Sequence, residues 1–464
     1  MGLEDLTASG KRGSSNKILE VVEDSMQNMG IDNAQSFLAM TTDDPSTMKA
    51  VRRKFEEKYP WIITLACFVH QLNTMIGEIC TFPRAKGALQ QANRIVTFFN
   101  SSHYWGGQLK ISAKAEKIKR GLKKNCESRW YSVILLASSV ESHRSPLSTI
   151  VARTDARKAT NGYSAVNAEV VRFVLDADDH FWPMLNQVIR VARPFVDAIA
   201  ACEGRAATLA DCMLQLLAAA RRLSLLKHEE DDLKGFFTHA HKIVDKRFRM
   251  IATPLHRLAL FLHPLCRKFA TSGTGRKPSA RFCWMTSMRT YYACRENFSG
   301  GKKDILTWWH ELPIMSVAHP LKGFAIAIHS IVPHAAEIER LFSQLDGVQS
   351  KKRINLSVDT FVKLAKCRSN YVQEAIDRGG AVKSKKEHPR ARVDEPAAVS
   401  DGPTLAGAEE IRDERWEPPL VAIDSEGTED APVSGLDAVF PELEERLTQE
   451  RDKDSEGSLA DDLS

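Results

Sequence analysis

The chain has 464 residues, 43% of them apolar, enough for two or three domains with sizeable cores. Nine scattered cysteines, odd in number and without a CxxC pair, argue for reduced thiols inside a cell and against a disulfide framework. No run approaches the ~18 consecutive apolar residues of a membrane span, and MGLEDLTASGKRGSS has no apolar core for a secretory signal.

The net charge of +5 is unevenly spread. Residues 381–464 carry 10 Lys/Arg and 23 Asp/Glu, a net of −13; of the totals of 64 and 59, residues 1–380 keep 54 and 36, a net of +18. A basic body with an acidic tail fits a polyanion binder whose tail screens or competes with nucleic acid. A solvated basic surface with an unrelated tail fits the charge equally well.

Ile18, Val21, Val22, Met26 and Met29 have helical spacing. Gln35–Thr42 is a short apolar strand candidate ending in Asp43-Asp44-Pro45, and Ser46–Tyr59 reads as a helix between Pro45 and Pro60. Trp61–Ala66 is a second buried-strand candidate, followed by a helix over His70–Ile79. Strand–helix–strand–helix order with apolar strands predicts parallel pairing inside an α/β core. From Ala88 to Phe298 the signals are almost wholly helical, with amphipathic segments at Val166–Leu185, Leu185–Cys202, Ala206–Leu225 and Leu233–Met250, and an apolar run, Leu258–Leu265, after the break at Thr253-Pro254. Further helices are expected at Ile305–Trp309, Pro320–Ile331, Ala335–Leu345 and Val358–Tyr371. Beyond Ala381 the chain is rich in Pro, Ala, Gly, Ser and acidic residues and reads as disordered, with one short helical stretch at Leu436–Leu447.

Three constellations stand out. The first is HPLKGFAIAIHSIVPHAAEIERLFSQLDGVQSKKRINLSVDTFVKLAKCRSNY, from His319, preceded by Trp308-Trp309. The second, from Leu38, is LAMTTDDPSTMKAVRRKFEEKYPWIITLACFVHQLNTMIGEI, and the third is CESRWYS, from Cys126. The first resembles the C-terminal dimerisation region of hAT-superfamily DNA transposases: Glu339, Arg340, Phe342 and Ser343 match its E-R-x-F-S core, and Lys352, Arg353 and Leu356 its K-R-x-x-L loop. The second resembles that family's V-T-D-N-x-S-x-M strand, with Asp43 at the second catalytic aspartate, and its C-x-x-H-x-L-N, with Cys67 and His70. The third is similar to C-x-T-R-W-N-S, with Arg129 and Trp130 in place and Ser128 and Tyr131 departing from the pattern. ACEGRAATLAD and ATPLHRLALFLHP are similar to the family's helical insertion, so the resemblance covers roughly residues 1–375.

The resemblance implies an α/β, predominantly helical chain with a truncated ribonuclease-H-like core. It divides the chain into 1–140 as a partial core, 141–304 as a helical insertion, 305–375 as the dimerisation region completing the core, and 376–464 as a disordered acidic tail. In such enzymes three carboxylates hold two Mg²⁺ ions that drive in-line phosphoryl displacement. Asp43 and Glu339 would be the second and third. The first is expected on a central strand some 60 residues earlier; only 42 residues precede Asp43, and Asp5 and Asp24 do not follow a buried strand. No zinc-binding BED finger is found either. The expectation is therefore a nuclear, DNA-binding, homodimerising derivative without transposition and without a cofactor in this form. An active Mg²⁺-dependent transposase whose reading frame extends upstream of Met1 is the rival. A pseudogene product with an open sheet edge is the third reading.

Each residue has a plainer reading. Asp43 could be a turn or helix cap, and Glu339 a solvated helix residue. Cys67 and His70 lack a second ligand pair for zinc, so packing near the former active site is favoured. Trp130 is core or DNA-facing. Lys351, Lys352 and Arg353 form a solvated loop or phosphate contacts. Arg340, Phe342 and Leu356 are assigned to dimerisation or packing through the resemblance alone.

Overall fold

A computed structural model describes residues 14–31, 34–125, 129–158, 164–175, 180–204, 206–268, 282–316 and 319–336, with isolated positions at 338, 360, 363, 364, 367, 370 and 371. Helices dominate these residues, and the strands are two: β1 (Ala39–Thr42) and β2 (Ile63–Ala66), paired in parallel with Ala39 opposite Ile63 and Thr42 opposite Ala66. Around them lie α1 (Ser15–Asn28), α2 (Ser46–Lys58) and α3 (Phe68–Cys80). The order continues with α4 (Pro83–Ser101), α5 (His103–Ala115), α6 (Tyr131–Ser142), α7 (Arg144–Val151), α8 (Thr154–Arg157) and α9 (Ala168–Leu175). Then come α10 (Phe181–Cys202), α11 (Leu209–Ser224), α12 (Lys234–Ile251), α13 (Pro254–Leu262), α14 (Phe282–Tyr292), α15 (Ile305–Glu311) and α16 (Pro320–His329). The parallel pairing expected from two apolar strands around a helix is thus observed. Among the described residues no helix is long and apolar enough to cross a membrane.

The described residues divide into two compact units. The first takes those up to Gln71, Asp197–Leu217 and those from Ile251; the second takes Leu72–Val196 and Ala218–Met250. In the first unit, alternation along the strands sends neighbouring side chains to opposite faces. Met40 and Ile62 join Met26 and Phe55 from α1 and α2 on one face. Ala39, Ile63 and Leu65 meet a larger core on the other, around Tyr291, Phe298, Trp308 and Trp309. Trp309 is fully buried and its indole N–H donates to the Leu262 carbonyl at 3.0 Å, which satisfies the one polar atom of a large apolar ring. The Arg267 guanidinium lies over the Tyr291 ring at 4.7 Å and donates to the Gly300 carbonyl at 2.9 Å.

The second unit is helical, with α4 packed on α5, α6 and α9, and α7 on α5 and α9. Leu89, Ile95, Val96, Ile134, Leu136, Val140 and Val174 form its interior. The expected break at Leu185 lies earlier: α9 stops at Leu175 and α10 runs unbroken from Phe181. The reason is the apolar stripe Phe181, Trp182, Leu185, Val188, which is buried as one helical face, while the Trp182 indole donates to the Val174 carbonyl at 3.0 Å and ties the two helices together. A buried ion pair joins α3 to α12, with Arg247 Nε donating to Glu78 Oε2 at 2.8 Å. Both side chains are 5% exposed.

Candidate functional site

Asp43 follows the last residue of β1 and is exposed. Its backbone is fixed: the carbonyl accepts Arg52 Nη1 at 2.7 Å and the Thr42 hydroxyl at 2.8 Å. Among the described residues no cation pairs with its carboxylate. Asp44 differs. It is paired with Arg52, and Lys49 Nζ lies 3.6 Å from Oδ2. Arg52 reaches the strand end from α2 because residues 49 and 52 share a helical face one turn apart.

Cys67 sits between β2 and α3, buried, at the N-cap position of α3. Its Sγ accepts the backbone N–H of His70 at 3.5 Å and of Ala335 at 3.3 Å. The thiol therefore replaces the oxygen of an ordinary cap and ties α3 to a distant segment. Two more bonds tie the same place: the Phe68 N–H donates to the Pro333 carbonyl at 3.0 Å, and the Thr41 hydroxyl to the Val332 carbonyl at 2.7 Å. His334 Nε2 and the Gly204 carbonyl are 3.1 Å apart. The C-terminal ends of β1 and β2 are thus met by residues 332–336, the stretch leading toward Glu339. Glu339, Arg340, Phe342, Lys351, Lys352, Arg353 and Leu356 lie outside the described residues.

In the second unit, Tyr131 opens α6 and its N–H donates to Asn73 Oδ1 at 3.0 Å. Trp130 is half-buried against α3, where a Cβ added at Gly77 would come 3.0 Å from its Cγ. Glycine at 77 is what allows the indole to lie on the helix backbone. Arg129 Nη1 donates to the Tyr131 hydroxyl at 3.2 Å. Asn73 comes from CFVHQLN and Tyr131 from CESRWYS, so two sequence constellations meet at a hydrogen bond.

Mg²⁺ prefers several oxygen ligands in octahedral array. Asp43 offers one free carboxylate at the strand end, whereas Asp44 is committed to two cations that would repel a divalent ion. Asp24 lies exposed on α1, away from any strand end. Among the described residues no three His, Cys, Asp or Glu side chains converge to hold a metal. The described residues do not by themselves fit a two-metal centre. A cleft of about 560 Å³ in the second unit is lined by Arg84, Arg172, His180, Glu230, Asp231 and Asp232, charges of both signs.

One feature escaped the sequence reading. Residues 114–124, just before CESRWYS, hold six cations and a single acid, Glu116; a count over short windows would have found them. No protein-family model matches the chain, and no curated protein matches it.

Proposed function

We propose that this chain is a hAT transposase-derived protein that binds DNA, self-associates through its C-terminal segment, works in the nucleus and does not cut or join DNA. One observation carries the reading. The strand ends bearing Asp43 and Cys67 are bonded to residues 332–336, so the two constellations that resemble the family's catalytic strand and dimerisation region are neighbours, as a shared nucleotidyl-transfer core requires. The two cations that Arg52 and Lys49 hold on Asp44, next to Asp43, add positive charge at the strand end and so disfavour a divalent ion there. The net charge of +18 over residues 1–380 supports an affinity for phosphate backbones.

The test uses the purified full-length chain, with labelled duplex DNA in a retention assay and light scattering for mass. Retention at low salt, a dimeric or larger mass and no Mg²⁺-dependent nicking are expected. Absence of retention removes the DNA-binding half, and a monomeric mass removes self-association. Mg²⁺-dependent strand cleavage, lost on Asp43→Asn, would show an active enzyme instead.

A further inference from the structure

The basic run that closes α5 and leads to α6 is structurally unusual. Lys114, Lys117, Lys119, Arg120 and Lys124 are exposed and Lys123 is half-buried. Among the described residues none of the six has an ion-pair partner. The run's own acid, Glu116, accepts the Ser145 hydroxyl at 2.9 Å instead of neutralising a lysine.

This loop is held at both ends. Ile118 N–H donates to the Ala113 carbonyl at 2.9 Å and Lys117 N–H to Lys114 at 3.1 Å, which closes α5. Lys117 takes φ +62° there, the left-handed position after a helix where glycine is the favoured residue. Farther on, Lys123 N–H donates to Ser139 Oγ at 3.0 Å and the Ser132 hydroxyl to Asn125 Oδ1 at 2.7 Å. The cations are therefore displayed on a fixed backbone, and the anchoring bonds end beside Arg129 and Trp130.

Like charges held close without counter-charges raise the energy of the folded chain, and an anion relieves it. Lys123 shows the tension: its ammonium is pushed down by burial, then by Arg120 and by Arg193 of α10.

We infer that the surface formed by Lys114–Lys124 is a docking surface for the sugar-phosphate backbone of DNA. Several cations along a fixed loop, with no ion-pair partner among the described residues, suit a row of phosphates better than one small anion. The inference rests on the DNA-binding reading above and names the surface that performs it.

The test titrates random-sequence duplex DNA with the full-length chain between about 50 and 200 mM salt. The triple variant Lys119→Gln, Arg120→Gln, Lys124→Gln removes three exposed cations, and Lys242→Gln with Lys246→Gln, two exposed lysines of α12, is the control. The triple variant is expected to flatten the slope of log affinity against log salt by about 2.7 and to weaken binding at 100 mM on the order of a hundredfold. The control keeps the wild-type slope, and neither variant melts below the wild type. A triple variant with the wild-type slope overturns the inference while leaving DNA binding intact. A wild-type chain that binds no DNA overturns both. Amine acylation gives a second readout: bound DNA protects Lys119 and Lys124 in the wild type, and equal labelling with and without DNA also overturns the inference.

Discussion

The first unit assembles its core from segments far apart in the chain, with Thr41 bonded to Val332 across 291 residues, whereas the second stacks consecutive amphipathic helices. Their buried polar groups differ as well. The first unit encloses His256, whose Nδ1 lies 2.7 Å from the Thr253 hydroxyl, and His329, each 2% exposed. The second encloses a paired charge, Glu78 with Arg247. An unpaired imidazole can be buried only in its neutral form, while a carboxylate and a guanidinium can be buried charged if they meet. The two units should therefore fail under different insults.

Acid is the largest. Burial pushes His256 down from 6.5 to about 4, and burial does the same to His329, with the Leu262 carbonyl partly opposing it. The unfolded chain takes up these protons below pH 6.5 and the folded chain only near pH 4, so stability is full above 6.5 and falls as pH drops through that window. At pH 4.5 the loss is on the order of 2–3 kcal/mol for each histidine. Denaturant unfolding followed by Tyr291 and Trp309 of the first unit should show it. The variant His256→Gln, His329→Leu should lose much of this dependence, and an unchanged pH profile would remove the two histidines as its cause. In the second unit burial also lowers His143, but the Ser139 carbonyl opposes it.

Breaking the ion pair comes next. Arg247→Met leaves Glu78 buried without its partner and should cost about 3–5 kcal/mol, most of it recovered in the Glu78→Leu, Arg247→Met double variant. If the single variant unfolds at the wild-type denaturant midpoint, the pair is not enclosed as described.

The smallest effect is at Gly77. An alanine there gains about 1 kcal/mol in helix propensity but presses on Trp130, and overpacking costs about 1–3 kcal/mol. A net loss of about 1 kcal/mol is expected, changing to a gain in a Trp130→Ala background. Loss in both backgrounds would place the strain elsewhere.

Much of the fold could be read from residues alone. The runs QSFLAMTT and WIITLA lie on either side of a helix bounded by prolines, and they pair in parallel because that helix carries the chain back to the same end of the sheet. The continuity of α10 through Leu185 was not legible, since the stripe from Phe181 to Val188 becomes a single face only once Trp182 is tied to Val174. Part of the candidate site was legible too: Asp43 at a strand end, Cys67 beside it, and Asn73 and Tyr131 within recognisable constellations. What no local pattern shows is that the Cys67 thiol caps α3 and accepts from Ala335, or that Arg52 neutralises Asp44, because both depend on partners brought in by the fold. The run 114–124 is a different case: its charge is plain in the sequence, but that none of its six cations has an ion-pair partner among the described residues appears only in the folded chain.

Binding of this chain to DNA through phosphate contacts is measured most directly as the affinity of the full-length chain for random-sequence duplex DNA while salt is raised. With six cations engaged, affinity should fall about a thousandfold between about 50 and 200 mM salt, along a straight line in log affinity against log salt. A flat line, or no binding at the lowest salt, would contradict the account.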